Sequence, residues 1–162
     1  MSGPVILNVG SGHHNMPNAV NIDLYDDRAD LKADASDLHM YGDNSVDVVV
    51  ASQILEHFTF EGGKKALREW FRVLKPGGEL VVSVPDMGAV VPLFADMPDG
   101  LQAGTMYFFY GAQGGPGDVH MSGYTQYSLH KLLNEIGFDV IWHDKNTPRR
   151  PTPSMRFVGK KP

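Results

Sequence analysis

The sequence contains no cysteine, which removes disulfide bridges, thiolate nucleophiles and zinc–thiolate centres together. It has no basic surplus either: 14 Lys and Arg stand against 19 Asp and Glu, a formal net charge of −5, and the basic residues form no long cluster. Nucleic acid, which is held by a basic patch that neutralises phosphates, is therefore not expected as a partner. No apolar run approaches the ~20 residues of a membrane span, and the amino terminus lacks a basic segment followed by a long apolar one. These absences lead to the expectation of an untargeted, cytoplasmic protein that engages no membrane. Internal repeats and low-complexity tracts are missing too, and 162 residues suit one domain with a sizeable core.

What the chain does have is concentrated between Val5 and Asp23. The apolar run Val5-Ile6-Leu7-Asn8-Val9 closes on Gly10-Ser11-Gly12, and a second run, Ala19-Val20-Asn21-Ile22, closes on Asp23 and Leu24. An apolar run ending in Gly-x-Gly, followed by one ending in a carboxylate, is how an α/β sheet presents a nucleoside-bearing cofactor at its strand ends. Gly10 and Gly12 give clearance for a ligand lying across the backbone, and Asp23 can accept hydrogen bonds from both vicinal hydroxyls of a ribose. The third glycine of dinucleotide sites is missing, with His14 and Asn15 where it would fall. Only Gly10 to Ala19 separate the two runs, near the minimum for a parallel crossover, so the first helix is expected to be truncated to about one turn. A pyrophosphate needs a full helix N-terminus; S-adenosylmethionine, with its ribose, adenine and amino-acid tail but no phosphate, does not. The spacing therefore favours that cofactor over NAD.

Further along, Leu31-Lys32-Ala33-Asp34-Ala35 reads as a brief third strand, after which Asp34 can accept from the exocyclic amine of an adenine while the Ala35 N–H donates to a ring nitrogen. Val46 to Ala51, apolar except for Asp47, reads as a strand buried on both faces. Ser52 to Phe58 follows at the strand end where ligands bind in open α/β sheets, which makes Ser52 and His57 candidates for cofactor contact, although His57 better suits a histidine closing a short helix. Leu67, Trp70, Phe71 and Leu74 recur at helical spacing and predict an amphipathic helix over 63–74, ended by the turn Lys75-Pro76-Gly77-Gly78 before a strand from Glu79 to Val84. Thr125 caps a second helix carrying Leu129, Leu132, Leu133 and Ile136 and stopped by Gly137. Phe138, Val140 and Trp142 then alternate as a strand, a proline-rich turn follows between Asp144 and Ser154, and Met155 to Gly159 closes an antiparallel hairpin.

Asn8-Val9-Gly10-Ser11-Gly12, Asn21-Ile22-Asp23, Ala33-Asp34-Ala35, Asp43-Asn44-Ser45-Val46-Asp47, Leu55-Glu56-His57 and Arg72-Val73-Leu74-Lys75-Pro76-Gly77-Gly78, in this order, resemble class I S-adenosylmethionine-dependent methyltransferases of the small bacterial, type 11-like kind. The resemblance is strong over residues 5–86. It implies a single-domain, doubly wound, Rossmann-like sheet that is mostly parallel with an antiparallel last strand. It also implies cofactor contacts at Gly10, Ser11 and Gly12 near the methionine moiety, Asp23 and Leu24 at the ribose, and Asp34 with Ala35 at the adenine. The chain departs from the common pattern in having Asn8 where an acid is frequent and in lacking the amino-terminal helices that often cover the site.

The stretch from Met87 to Gly123, with its prolines, its glycines from Gly111 to Gly117 and Met106-Tyr107-Phe108-Phe109-Tyr110, reads as a lid or substrate wall, leaving about 125–160 to close the sheet. Within it His120, flanked by Asp118 and Ser122, is the candidate general base that takes a proton from an O or N acceptor as the methyl arrives. His120-x-x-Gly123-Tyr124 before the Leu-rich helix also resembles small bacterial methyltransferases of surface-sugar biosynthesis. His13, His14, His39, His57, His120, His130 and His143 show no paired ligand spacing, so no metal is expected. The reading is methyl transfer from S-adenosylmethionine to a small-molecule acceptor such as a sugar. The alternative is a non-catalytic module binding S-adenosylmethionine or S-adenosylhomocysteine. The sequence names neither the acceptor atom nor an oligomeric state, a homodimer being compatible with it.

Overall fold

Alternating apolar residues and two capped amphipathic runs set the elements of the computed structural model, which describes residues 3–98, 106–144 and 153–162. The strands are β1 Ile6–Val9, β2 Val20–Asp23, β3 Leu31–Lys32, β4 Val46–Ser52, β5 Leu74–Pro85, β6 Asp139–Asp144 and β7 Ser154–Lys160. The helices are α1 Phe60–Val73, α2 Met87–Ala95, α3 Tyr107–Tyr110 and α4 Gln126–Ile136, with a 3-10 turn at Leu55–His57 after β4. All seven strands form one sheet in the order β3-β2-β1-β4-β5-β7-β6, with β7 antiparallel to both β5 and β6 and the β1–β5 pairs parallel. This is the expected α/β, Rossmann-like architecture with its antiparallel closing strand.

Local chemistry explains the helix ends. The Thr59 hydroxyl accepts from Gly62 N at 3.1 Å, so α1 starts at Phe60 rather than Gly63. Thr125 and Ser128 form a reciprocal capping box at the start of α4, and Gly137, at φ +117°, stops it. The turn expected at Lys75–Gly78 is a bulge early in β5: Val46 pairs with Leu74, and Val48 next with Glu79.

The two faces of the sheet differ. On one, Leu7, Val49 and Leu80 lie side by side, as do Val9, Ala51, Val82 and Phe157, and all are fully buried. They form one core with Ala66, Leu67, Trp70 and Val73 of α1 and Leu129, Leu132 and Leu133 of α4. On the other face Asn8, Val50, Val81 and Val158 share one row and Ser52, Ser83 and Arg156 the next; the three valines are only half-buried.

Winding direction accounts for this. The chain steps from β1 to β2 to β3 one way and from β4 to β5 the other, and right-handed crossovers then place their connections on opposite faces. The β4–β5 crossover carries α1. The β1–β2 and β2–β3 connections hold only turns, so the truncated first helix is absent altogether and the doubly wound strand order carries its two long helices on one face. No described helix is long and apolar enough to cross a membrane. The proline-rich turn after Asp144 and the middle of the Met87–Gly123 stretch lie outside the described residues.

Candidate active site

The carboxyl end of β1 turns sharply. Gly10 has φ +63°, and a Cβ there would stand 2.5 Å from the Ile54 side chain; Gly12 has φ +49° and open space where its Cβ would point. The two glycines expected to clear a ligand therefore divide the work: Gly10 admits Ile54, and Gly12 faces the cleft. Ser11 between them is buried, and its hydroxyl has no hydrogen-bond partner among the described residues.

Asp23, at the end of β2, has both carboxylate oxygens aimed back at the backbone. Oδ2 accepts from Gly12 N at 2.8 Å, and Oδ1 accepts from Tyr25 N at 2.8 Å and Asp26 N at 2.9 Å. One side chain thus fixes the turn after β1 and the turn after β2 relative to each other. Behind them Asn8 Nδ2 donates to His14 O at 3.0 Å and to Asn21 Oδ1 at 2.9 Å, a pair of bonds that needs a donor and that an ionised acid could not make.

The segment after β3 is pinned by one edge of α1. Trp70 Nε1 donates to Ala35 O at 2.7 Å, Glu69 Oε1 accepts from Leu38 N at 2.8 Å, and Arg72 donates to the carbonyls of Leu38 and Tyr41. The Arg72 guanidinium beside Glu69 holds that carboxyl below its ordinary value, with the Leu38 N–H adding to the effect. Asp34 Oδ1 accepts from Ser36 N at 2.7 Å, which leaves its carboxylate exposed at the cleft mouth.

Two adjoining hollows result. One, of about 590 Å³, is lined by Asp23, Leu24, Asp34, Ala35 and the Gly115–Gly117 loop. The other, of about 530 Å³, runs along the less covered sheet face past Ser11, Ser52, Ser83 and Arg156 to Tyr107, Phe108 and His120. Gly10, Gly12, Gln53, His57 and Asp118 line both, so the hollows are parts of one trough. The candidate contact residues Gly10, Ser11, Gly12, Asp23, Leu24, Asp34, Ala35, Ser52, His57 and His120 each line one part or the other.

The trough also shows a backbone conformation and side-chain contacts that local patterns did not reveal. Gln53 adopts φ +56°, a conformation rarely held by a non-glycine residue and concentrated at functional sites. Ser52 Oγ and Ser83 Oγ stand 3.0 Å apart, joining the ends of β4 and β5. His57 and His120, remote in sequence, meet edge to face with ring centroids 4.8 Å apart. Burial pushes the His57 imidazole below its ordinary pKa, and the neighbouring His120 adds to this. Asp118 lies in the wall with them, as the sequence suggested, but its Oδ2 accepts from Gly114 N at 2.9 Å and so shapes the glycine loop.

Residues 12–82 match the profile of a family described as a methyltransferase domain. Over those residues the chain is similar to S-adenosylmethionine-dependent methyltransferases. No curated protein sequence matches it. Among solved structures, the 1,6-didemethyltoxoflavin-N1-methyltransferase of Burkholderia thailandensis, crystallised with 1,6-didemethyltoxoflavin and S-adenosylhomocysteine, is 14% identical, with a TM-score of 0.67 over 98% of this chain and 71% of that one. A methyltransferase from Methanosarcina mazei is 18% identical, with a TM-score of 0.67 over 98% and 92% of the two chains. The [4+2]-cyclase SpnF is also 18% identical, with a TM-score of 0.64 over 99% and 76%. At these identities the likeness is one of fold, and the cyclase shows that a class I methyltransferase fold does not by itself fix the reaction.

Proposed function

We propose that the trough binds S-adenosylmethionine and that the chain, acting as one methyltransferase domain, passes the methyl group to an O or N atom of a small molecule held over the less covered sheet face. The supporting observation is the trough itself, which joins Gly12, Asp23 and Asp34 to a second hollow walled by His57 and His120. The residues suit this cofactor. Gly12 leaves open space, Ser11 offers a buried hydroxyl, and Asp23 presents an anion already aligned by backbone N–H groups. The turn after β1 offers no helix N-terminus, which counts against a pyrophosphate.

When bound, S-adenosylmethionine supplies an electrophilic methyl on a sulfonium. The chain has to hold the acceptor in line with it and take a proton. His120 Nδ1 faces Phe108 O at 2.9 Å, which places the ring proton on Nδ1 and leaves the Nε2 lone pair to receive the acceptor's proton. A binding module without turnover is the second reading, favoured by the missing helix over β1 and β2, which leaves the trough less enclosed.

Calorimetric titration with S-adenosylmethionine, S-adenosylhomocysteine and NAD tests the cofactor. Tighter binding of NAD than of either sulfur compound would sink the assignment. Release of S-adenosylhomocysteine dependent on an added acceptor separates the enzyme from the module.

A further inference from the structure

Glu56 and His57 lie on the 3-10 turn after β4, and His120 reaches them from the loop beyond α3. A carboxylate oxygen of Glu56 and one ring nitrogen of each histidine lie within 4.8 Å of one another. All three line the hollow beside the sheet. The backbone ties the two segments together: Glu56 O accepts from Met121 N at 2.9 Å and from Ser122 N at 3.1 Å. Each ring is also anchored from behind, His57 Nδ1 facing Val119 O at 3.2 Å and His120 Nδ1 facing Phe108 O at 2.9 Å. An imidazole that donates Nδ1–H to a backbone carbonyl keeps its Nε2 lone pair, and the same outer bond orients metal-binding histidines in general.

We propose that Glu56, His57 and His120 form a binding site for one divalent transition-metal ion of the zinc class. Two imidazoles and one carboxylate are a donor set that zinc(II) and its neighbours accept, whereas magnesium and calcium prefer oxygen alone. Glu56 is 2% exposed, and a carboxylate at such a buried position attracts a dication more strongly than one in bulk water. Ligands at about 2.0–2.2 Å from an ion stand roughly 3.3 Å apart in a tetrahedron, so the side-chain ends close by at most about 1.5 Å on loading. Three protein donors leave a fourth position for water or acceptor. With the ion in place, the lone pair of His120 is not free to take a proton, so occupancy switches off the base described above. That consequence rests on the methyl-transfer reading; the binding itself does not.

The test is calorimetric titration of metal-stripped protein with zinc chloride, backed by the visible absorption of tetrahedral cobalt(II). One ion per chain is expected, with affinity reduced at least about tenfold by His120→Gln or by Glu56→Gln. His130→Gln, outside the trough, should leave the affinity unchanged. Because Glu56 is buried, His120→Gln is the arm that spares the fold. Absence of saturable binding, or binding that survives His120→Gln and Glu56→Gln alike, overturns the proposal. S-adenosylhomocysteine titrated into the same preparations keeps the two readings apart: zinc binding without nucleoside binding supports this site while removing the cofactor assignment, and nucleoside binding without zinc binding does the reverse.

Discussion

The two faces of the sheet are built from the same strands and do different work. The face under α1 and α4 interdigitates fully buried apolar side chains with two helices, and it holds the protein together. On the other face the β1–β2 and β2–β3 connections are short turns, Asn8, Ser52, Ser83 and Arg156 stand among half-buried valines, and the trough runs along them. Removing helices from one side of a doubly wound sheet gives up apolar burial there, and in exchange the ends and flank of the sheet become accessible to a ligand.

If that division is right, the largest effects on stability come from the closed face and the largest effects on binding from the other. Trp70→Ala should destabilise by about 3–5 kcal/mol in denaturant titration, from lost packing plus the lost bond to Ala35 O. A loss under about 1 kcal/mol would break the comparison. Leu80→Ala should cost about 2–5 kcal/mol, whereas Val81→Ala, its neighbour on the opposite face, should cost about 1 kcal/mol or less. Asp23→Ala should keep the fold yet weaken S-adenosylhomocysteine binding by about a hundredfold, since charge-assisted bonds are worth roughly 1.5–3 kcal/mol each. Unchanged affinity would move the ribose elsewhere. His120→Ala in metal-free protein, with an acceptor in hand, should slow methyl transfer by roughly a hundredfold while cofactor affinity holds. Loss of affinity without a separate rate effect would make His120 a wall residue.

The smallest expected effect is a pH dependence that links the faces through α1. The Glu69 carboxyl is held below its ordinary value by Arg72, so its contribution to stability is complete above about pH 4.5 and is lost as pH falls through the lower folded value. Glu69→Gln should flatten that part of the acid-unfolding curve, and it should also loosen Leu38, next to the segment carrying Asp34 and Ala35. An unchanged acid limb would remove Glu69 from the account.

Sequence reasoning reached much of this because the relevant signals are local. Thr125 with Ser128, Gly137, and Leu129, Leu132 and Leu133 encode α4 within a dozen or so positions, and Gly12 with Asp23 encodes one corner of the trough just as compactly. What it missed depends on contacts between remote segments. The Gly10 requirement comes from Ile54, and the meeting of His57 with His120 depends on the loop after α3 folding back onto Glu56. Helix α2 was hidden for a different reason: Pro92 sits inside it and Val90 and Val91 are β-branched, so its propensity is poor, yet Asp86 caps it by accepting from Gly88 N at 3.0 Å. The bare face itself is legible only when the short β1–β2 spacing is combined with strand order.

Amide hydrogen exchange with and without saturating S-adenosylhomocysteine tests this division of labour most directly. The account predicts added protection in residues 8–14, 22–26, 33–36 and 52–57, with the midsections of α1 and α4 little changed. Protection confined to α1 and α4, or no change under saturation, would contradict it.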